Sequence, residues 1–233
     1  MPNTELEANK DKNLTIKIED KDYFRYPIKT HVFKDGDNLA EEIKKYLTPY
    51  LQKDDLVFIS EKIVAISQGR AFHIDSIKPS KTAKFLSKFV HKTPYGIGIG
   101  SPWTMELALR QAGMLRISLG ILASALTKPL GIRGVFYRVV GKGVSAIDGP
   151  CDYTLPPYNK YAKLPPANPS KVAKEIKQLI GNDVVIIDAN DLGVDVLGKS
   201  SKDVSNEFCK AVFKDNPLGQ TNEQTPLCIV RKV

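Results

Sequence analysis

The chain is poor in the residues on which thiol and zinc chemistry depend. Its 233 residues include three cysteines, three histidines and one tryptophan. Cys151, Cys209 and Cys228 lie too far apart for a CxxC knuckle or a disulfide framework, so a reducing, cytoplasmic setting is the simple expectation. His31, His73 and His91 form no HxxxH pair, which disfavours a zinc hydrolase, and no sequence signal supports a Cys–His nucleophile. Long apolar runs are missing too. The longest, "ISLGILASAL" (117–126), is about half the ~20 residues of a bilayer span and lies between Arg116 and Lys128. It is expected to be a buried helix, and no membrane partner is expected. The opening "MPNTELEANKDKN" has no apolar signal-peptide core and reads as a disordered tail over residues 1–13.

Acidic residues are outnumbered. Lys+Arg total 34 against 26 Asp+Glu, a net charge of +8. That balance suits an anionic partner in principle. The lysines are instead spread along helical faces (Lys44, Lys45, Lys81, Lys84, Lys88, Lys171, Lys174, Lys177), and no dense basic block occurs. No RNP, KH or helix-turn-helix signature is present either, so nucleic acid is disfavoured as a partner. The hydrophobic fraction of 42% is that of a globular chain with a core, enough for one domain over residues 14–233 or two intertwined subdomains.

Helical and extended patterns alternate, which gives an α+β (mixed α/β) class. "LTIKI" (14–18) alternates as an edge strand, and Leu39, Ile43, Leu47 and Leu51 form one helical stripe capped by Asp37 or Asn38. "LVFI" (56–59) is a buried strand, after which Ser60 caps a helix that Gly69 stops. "RAFHI" reads as a strand and "SKTAKFLSKFV" (80–90) as an amphipathic helix. "SPWTMELALRQAG" (101–113) has a serine cap, a first-turn proline and a terminal glycine, a helix signature. "GVFYRVVG" (134–141) reads as a strand bounded by glycines, and the proline-rich stretch after it as a long ordered loop. "PSKVAKEIKQLIG" is a helix, "VVIIDANDLG" opens as a buried strand, 203–213 is a helix and "LCIVRKV" a final strand.

Chemistry concentrates where apolar stretches end in oxygen-bearing side chains. Asp148 ends "GVSAID" and Asp188 ends "VVIID", with Asn190 and Asp191 beyond it. Carboxylates on neighbouring strand ends repel unless a divalent cation lies between them, and hard oxygen donors suit Mg²⁺ or Mn²⁺. The competing reading makes each aspartate a turn cap. "LGQTNEQTP" (218–226) adds Gln220 and Glu223 beside a glycine that lets a ligand approach the backbone. Ser60 and Lys62 stand at a strand-to-helix junction suited to phosphate, although no GxxxxGK[ST] P-loop is present. "GIGIG" (96–100) lacks the GxGxxG spacing of a dinucleotide site.

Taken in order, "GDNLAEEI…KDDLVFISEKIVAISQGR", "GVSAID", "LPPANPSKVAKEIKQLIGNDVVIIDAN" and "GQTNEQTPLCIVR" resemble the coenzyme F420-0:L-glutamate ligase family, the gamma-glutamyl ligases of deazaflavin cofactor synthesis. The resemblance runs from about residue 26 to the end. It implies a ligase-like α+β fold with mixed sheets and flanking helices, working as a homodimer with GTP and Mn²⁺ or Mg²⁺. It further implies that L-glutamate is added to a carboxylate acceptor, F420-0 or a related molecule such as a pterin-type acceptor, through an acyl phosphate. By motif match, Asp148, Asp188 and Gln220 would serve the metal, with Asn190 or Asp191 for a second ion, and Ser60, Lys62, Gln220 and Glu223 the nucleotide. The chain departs from the family pattern in places: Pro150 and Cys151 replace a Ser-Asn pair, Ala189 replaces a hydroxyl residue, and the stretch 95–134 fits the family's arrangement poorly, including its Thr-His-Gly. The alternative is a nucleotide- or metabolite-binding protein of the same fold without catalysis.

Overall fold

The computed structural model describes residues 6–90, 98–132, 134–190, 193–219 and 221–233. They divide into two compact units, one built of residues 1–69 and 166–233 and the other of residues 70–165.

In the first unit the β-branched runs line up as sheet strands. The strands are β1 (Thr15–Ile18), β2 (Lys21–Ile28), β3 (Leu56–Ser60), and later β6 (Asp183–Asn190), β7 (Gly193–Lys199) and β8 (Leu227–Lys232). They form a six-stranded sheet in the order β1-β2-β8-β3-β6-β7. The β3/β6 pair is parallel and all others are antiparallel. Side chains alternate between the two faces. Phe58, Val185, Ile187, Cys228 and Val230 bury one face against Cys209, Val212 and Phe213, which belong to or follow α9 (Asn206–Val212). Val57, Ile59, Val184, Ile186 and Ile229 are buried on the other face. That side carries α8 (Pro169–Ile180), which packs on β6 and β7, with α1 (Leu39–Leu47) against α8 and α2 (Glu61–Ser67) against β3. Each fully buried Val or Ile contributes about 1.5–3 kcal/mol of transfer free energy.

Two strands of this sheet escape sequence reading. In β2 the alternation is broken by Arg25, yet Arg25 is 1% exposed and pairs with Asp215. In β7 the glycine-rich "GVDVLGK" looks like a loop, but Gly198 is needed where the start of α8 crosses it. A Cβ there would fall 2.8 Å from Pro169 Cβ. Residues 6–13 carry no helix or strand, and Asn9 Nδ2 donates to Pro217 O and Thr225 Oγ1, both at 2.8 Å.

The second unit pairs β4 (Ala71–His73) with β5 (Tyr161–Lys163) antiparallel and adds α3 (Lys81–Leu86), α4 (Pro102–Ala112), α5 (Met114–Thr127), α6 (Val135–Val140) and α7 (Lys142–Ser145). Met105, Ala108, Ile117, Val140, Val144 and Ile147 are central to its core. Ser101 and Thr104 close a reciprocal capping box at the start of α4, as the serine–proline signature predicts.

Two expectations fail here. "VFYRVV" is a helix, α6, and not a strand. Its β-branched and aromatic content favours a strand, but packing against α5 decides otherwise. Gly120 of α5 leaves so little room that a Cβ would lie 2.7 Å from Val140 Cγ1 and 3.1 Å from Phe136. The apolar helix over 117–126 exists as part of α5 but is not buried, since only Ile117 and Gly120 of α5 are. No helix among the described residues is long and apolar enough to cross a membrane.

Candidate functional site

Strand directions gather three of the predicted stretches at one end of the first unit's sheet. Since β3 and β6 run parallel, Ser60 pairs with Ile187, and Asp188 is the next residue of β6. Because β8 is antiparallel to β3, Ile59 pairs with Leu227, so the 218–226 loop arrives at the same end. Ligands in sheet-based folds collect outside such strand ends, where turns carry the polar groups.

At the β3–α2 junction the Ser60 hydroxyl accepts the Lys62 N–H at 3.4 Å, while Ser60 N–H donates to Pro226 O at 2.8 Å. Lys62 is half-buried and makes no ion pair among the described residues. A lysine held in this way supplies a positive charge that a phosphate can meet.

The loop before β8 is fixed largely through its own hydrogen bonds. Thr225 Oγ1 donates to Leu218 O at 2.9 Å and Asn216 Nδ2 to Gly219 O at 3.0 Å. The Glu223 carboxylate accepts from Thr221 N–H at 2.8 Å and Thr221 Oγ1 at 3.0 Å. It lies over Gly219, which sits at φ +76°. The positive φ favours glycine, and a Cβ at Gly219 would come within 2.7 Å of Glu223 Cγ, so any other residue would displace the Glu223 side chain. Gln220, assigned to metal and nucleotide by sequence, lies outside the described residues, as does Asp191.

Asp188 and Asn190 alternate onto one face at the end of β6, and both are half-buried. Across the sheet Asp188 is registered with Asp195 of β7. Sequence reasoning missed Asp195, whose only signal is the "VDV" alternation after Gly193. Directly opposed like charges are unfavourable in an antiparallel pair, and the exposure of Asp195 to solvent screens this one. No group of three or more His, Cys, Asp or Glu residues able to hold a metal occurs among the described residues. The donors present do fit Mg²⁺ or Mn²⁺, which take few protein carboxylates and complete their shell with water and substrate phosphate.

A second anchored group lies beyond β2, at the same sheet end, where Ile28 pairs with Leu227. His31 is held by Tyr46 Oη at 3.0 Å and by Asp37 Oδ2 at 3.1 Å. Burial pushes the Asp37 carboxyl up, but the Lys34 N–H and His31 more than offset it and its pKa is lowered. These bonds fix the 29–38 turn. Beside it, Gln224 N–H₂ donates to Thr30 O and Thr30 N–H to Gln224 O.

Asp148 belongs to the second unit. It does not end a strand, since α7 precedes it and it forms only an isolated bridge to Lys163. Its N–H donates to Lys163 O at 3.0 Å and its O accepts from Lys163 N–H at 2.9 Å. Its carboxylate is 54% exposed and lies 3.2 Å from Lys163 Nζ, a side chain only 5% exposed. Sequence reading gave no hint of this lysine, because the partners are joined only through the pairing of 148 with 163.

A model of the family described as F420-0:Gamma-glutamyl ligase matches residues 27–194. That span includes Ser60, Lys62, Asp148, Asp188 and Asn190 and ends before the 218–226 loop. No curated protein matches the chain.

Proposed function

The chain belongs to the F420-0:gamma-glutamyl ligase family, a family of ligases, and on that premise we propose that it adds L-glutamate to a carboxylate acceptor with GTP as phosphoryl donor and Mn²⁺ or Mg²⁺ as cofactor. The acceptor is coenzyme F420-0 or a related small carboxylate. The observation that supports this most is the meeting of Ser60–Lys62, Asp188–Asn190 and the 218–226 loop at one sheet end.

A carboxylate does not react with an amine until its oxygen becomes a leaving group. In the proposed reaction the acceptor carboxylate attacks the γ-phosphorus, the bond to the β–γ bridging oxygen breaks, and GDP departs from an acyl phosphate. The glutamate amine then attacks the acyl carbon, phosphate leaves, and the nitrogen loses a proton. No protein nucleophile is required. Lys62 binds the polyphosphate charge, and the Ser60 junction orients it. The Gly219 turn permits close approach of the loop backbone, with Glu223 holding the turn's shape. Asp188 and Asn190 would hold the cation; Asp148, a metal ligand by motif match, belongs to the second unit and is tested by itself. A bound divalent cation supplies charge neutralisation during phosphoryl transfer. A homodimer acting in the cytoplasm is part of the same proposal.

The test is acceptor-dependent GDP release from GTP, L-glutamate and Mn²⁺, with the glutamyl adduct identified by mass spectrometry across a panel of carboxylates. Ala189 in the place of a hydroxyl favours the second reading, a non-catalytic nucleotide-binding protein. GTP binding with no acceptor-dependent GDP would replace the ligase with that reading.

A further inference from the structure

One face of α5 differs from an ordinary protein surface. Leu115, Leu119, Leu122 and Leu126 recur at spacings of three and four residues, which places them on one helical stripe, and each is at least 50% exposed. Leu130, 74% exposed, continues the apolar surface beyond the helix. Ile117 and Gly120, on another side of α5, are the residues packed into the unit's core. Single exposed leucines are commonplace, whereas a row of them marks a surface that meets something.

The charge of the segment that carries the row has one sign. From Leu107 to Ile147 the chain contains no Asp or Glu, but it carries Arg110, Arg116, Lys128, Arg133, Arg138 and Lys142. Arg116, Lys128 and Arg138 are exposed. The helices packed on α5, α4 and α6, bring a single acid, Glu106, which Arg110 already engages at 3.2 Å. A row of exposed leucines in a segment whose exposed charges are all cationic complements an apolar layer behind a sheet of negative charge. A second copy of the chain fits less well. In a two-fold interface the patch meets itself, so Arg116 and Lys128 would face like charges with no acid in the segment to pair them. The length limit that rules out a membrane span does not apply to a helix lying in the plane of the surface.

We propose that α5 seats this unit on an anionic phospholipid surface. The leucine row enters the boundary between headgroups and acyl chains, and Arg116, Lys128 and Arg138 meet headgroup phosphates. This inference is independent of the ligase reading.

The experiment is flotation of the full chain with vesicles of mixed phosphatidylglycerol and phosphatidylcholine, beside vesicles of phosphatidylcholine alone. The chain is expected to float with the mixed vesicles, to release as salt rises, and to stay off the neutral ones. Leu119→Ser combined with Leu122→Ser, and Arg116→Glu combined with Lys128→Glu, should each lower the bound fraction about tenfold or more. Both variants should keep the wild-type circular dichroism and unfolding midpoint, because all four side chains are exposed. No flotation with mixed vesicles overturns the proposal, and equal flotation with neutral vesicles overturns the anionic assignment. If the wild type does not float and the double-serine variant turns a dimer into a monomer by light scattering, the face is a contact between copies and the proposal is wrong.

Discussion

Ser60 N–H donates to the carbonyl oxygen of Pro226 at 2.8 Å, tying the β3–α2 junction to the loop that enters β8. The bond exists because β3 and β8 are antiparallel neighbours, and the parallel β3/β6 pair brings Asp188 to the same end. Changes at Lys62, Gly219 and Asp188 should therefore affect the same activity by separable physical routes.

Lys62→Met removes a half-buried positive charge that has no ion-pair partner among the described residues. kcat/KM for GTP should fall about a hundredfold, with the unfolding midpoint within about 2 °C of wild type. Steady-state kinetics beside thermal unfolding check this. Unchanged kinetics would remove Lys62 from the phosphate site.

Gly219→Ala combines a φ of +76° with a clash against Glu223. Gly36→Ala shares the strain, at φ +83°, but meets nothing within 4 Å. Both should lose about 1 kcal/mol in urea unfolding, and only Gly219→Ala should also lose turnover. Equal turnover in the two would show that the loop does not contribute.

Mn²⁺ with GTP, each at about a hundred times its dissociation constant, should stabilise the wild type by about 2.7 kcal/mol per bound ligand. Asp188→Asn should lose the metal-dependent part of that gain, and Asp195→Asn should lose less of it. Chelation should stop turnover. A full metal-dependent increase in Asp188→Asn would withdraw the assignment.

Asp148→Asn breaks the ion pair with Lys163. With Asp148 54% exposed, solvent screening keeps the stability cost under about 1 kcal/mol. Any large fall in activity would then come from the chemistry and not from unfolding. Full activity would reduce Asp148 to a latch between residues 148 and 163.

Burial raises the Asp215 carboxyl, but hydrogen bonding and attraction from Arg25 outweigh it and its pKa is lowered. A carboxyl with a depressed folded pKa gives stability that is full above its unfolded pKa, near ~4, and is lost as pH falls through the folded value. Asp215→Asn should cost about 2–3 kcal/mol at neutral pH, less than a fully buried pair because Asp215 is 36% exposed. Urea titrations should show the gap between variant and wild type closing below about pH 4. A gap independent of pH would refute the pairing.

Local rules made much of the chain readable. The amphipathic helices follow from apolar spacing with local stops: an asparagine cap for α1, a serine cap and terminal glycine for α4, and a first-turn proline and terminal glycine for α8. Strands β3, β6 and β8 follow from short β-branched runs. Where burial depends on a distant partner, local pattern misleads. Arg25 in β2 is a core residue with Asp215 placed beside it, and "VFYRVV" is a helix that packs Phe136 and Val140 where Gly120 leaves room for them.

The sequence by itself determined which residue types were available for the chemistry: oxygen donors after β6, a serine and a lysine after β3, and a glycine loop before β8. These are properties of short stretches. The tertiary structure alone decided that those stretches share one sheet end, that Asp188 faces Asp195, and that Asp148 is paired with Lys163. The reason is strand register. Which side chains meet across a sheet depends on pairings between residues far apart in the chain, and side-chain spacing along one strand carries no record of its neighbour.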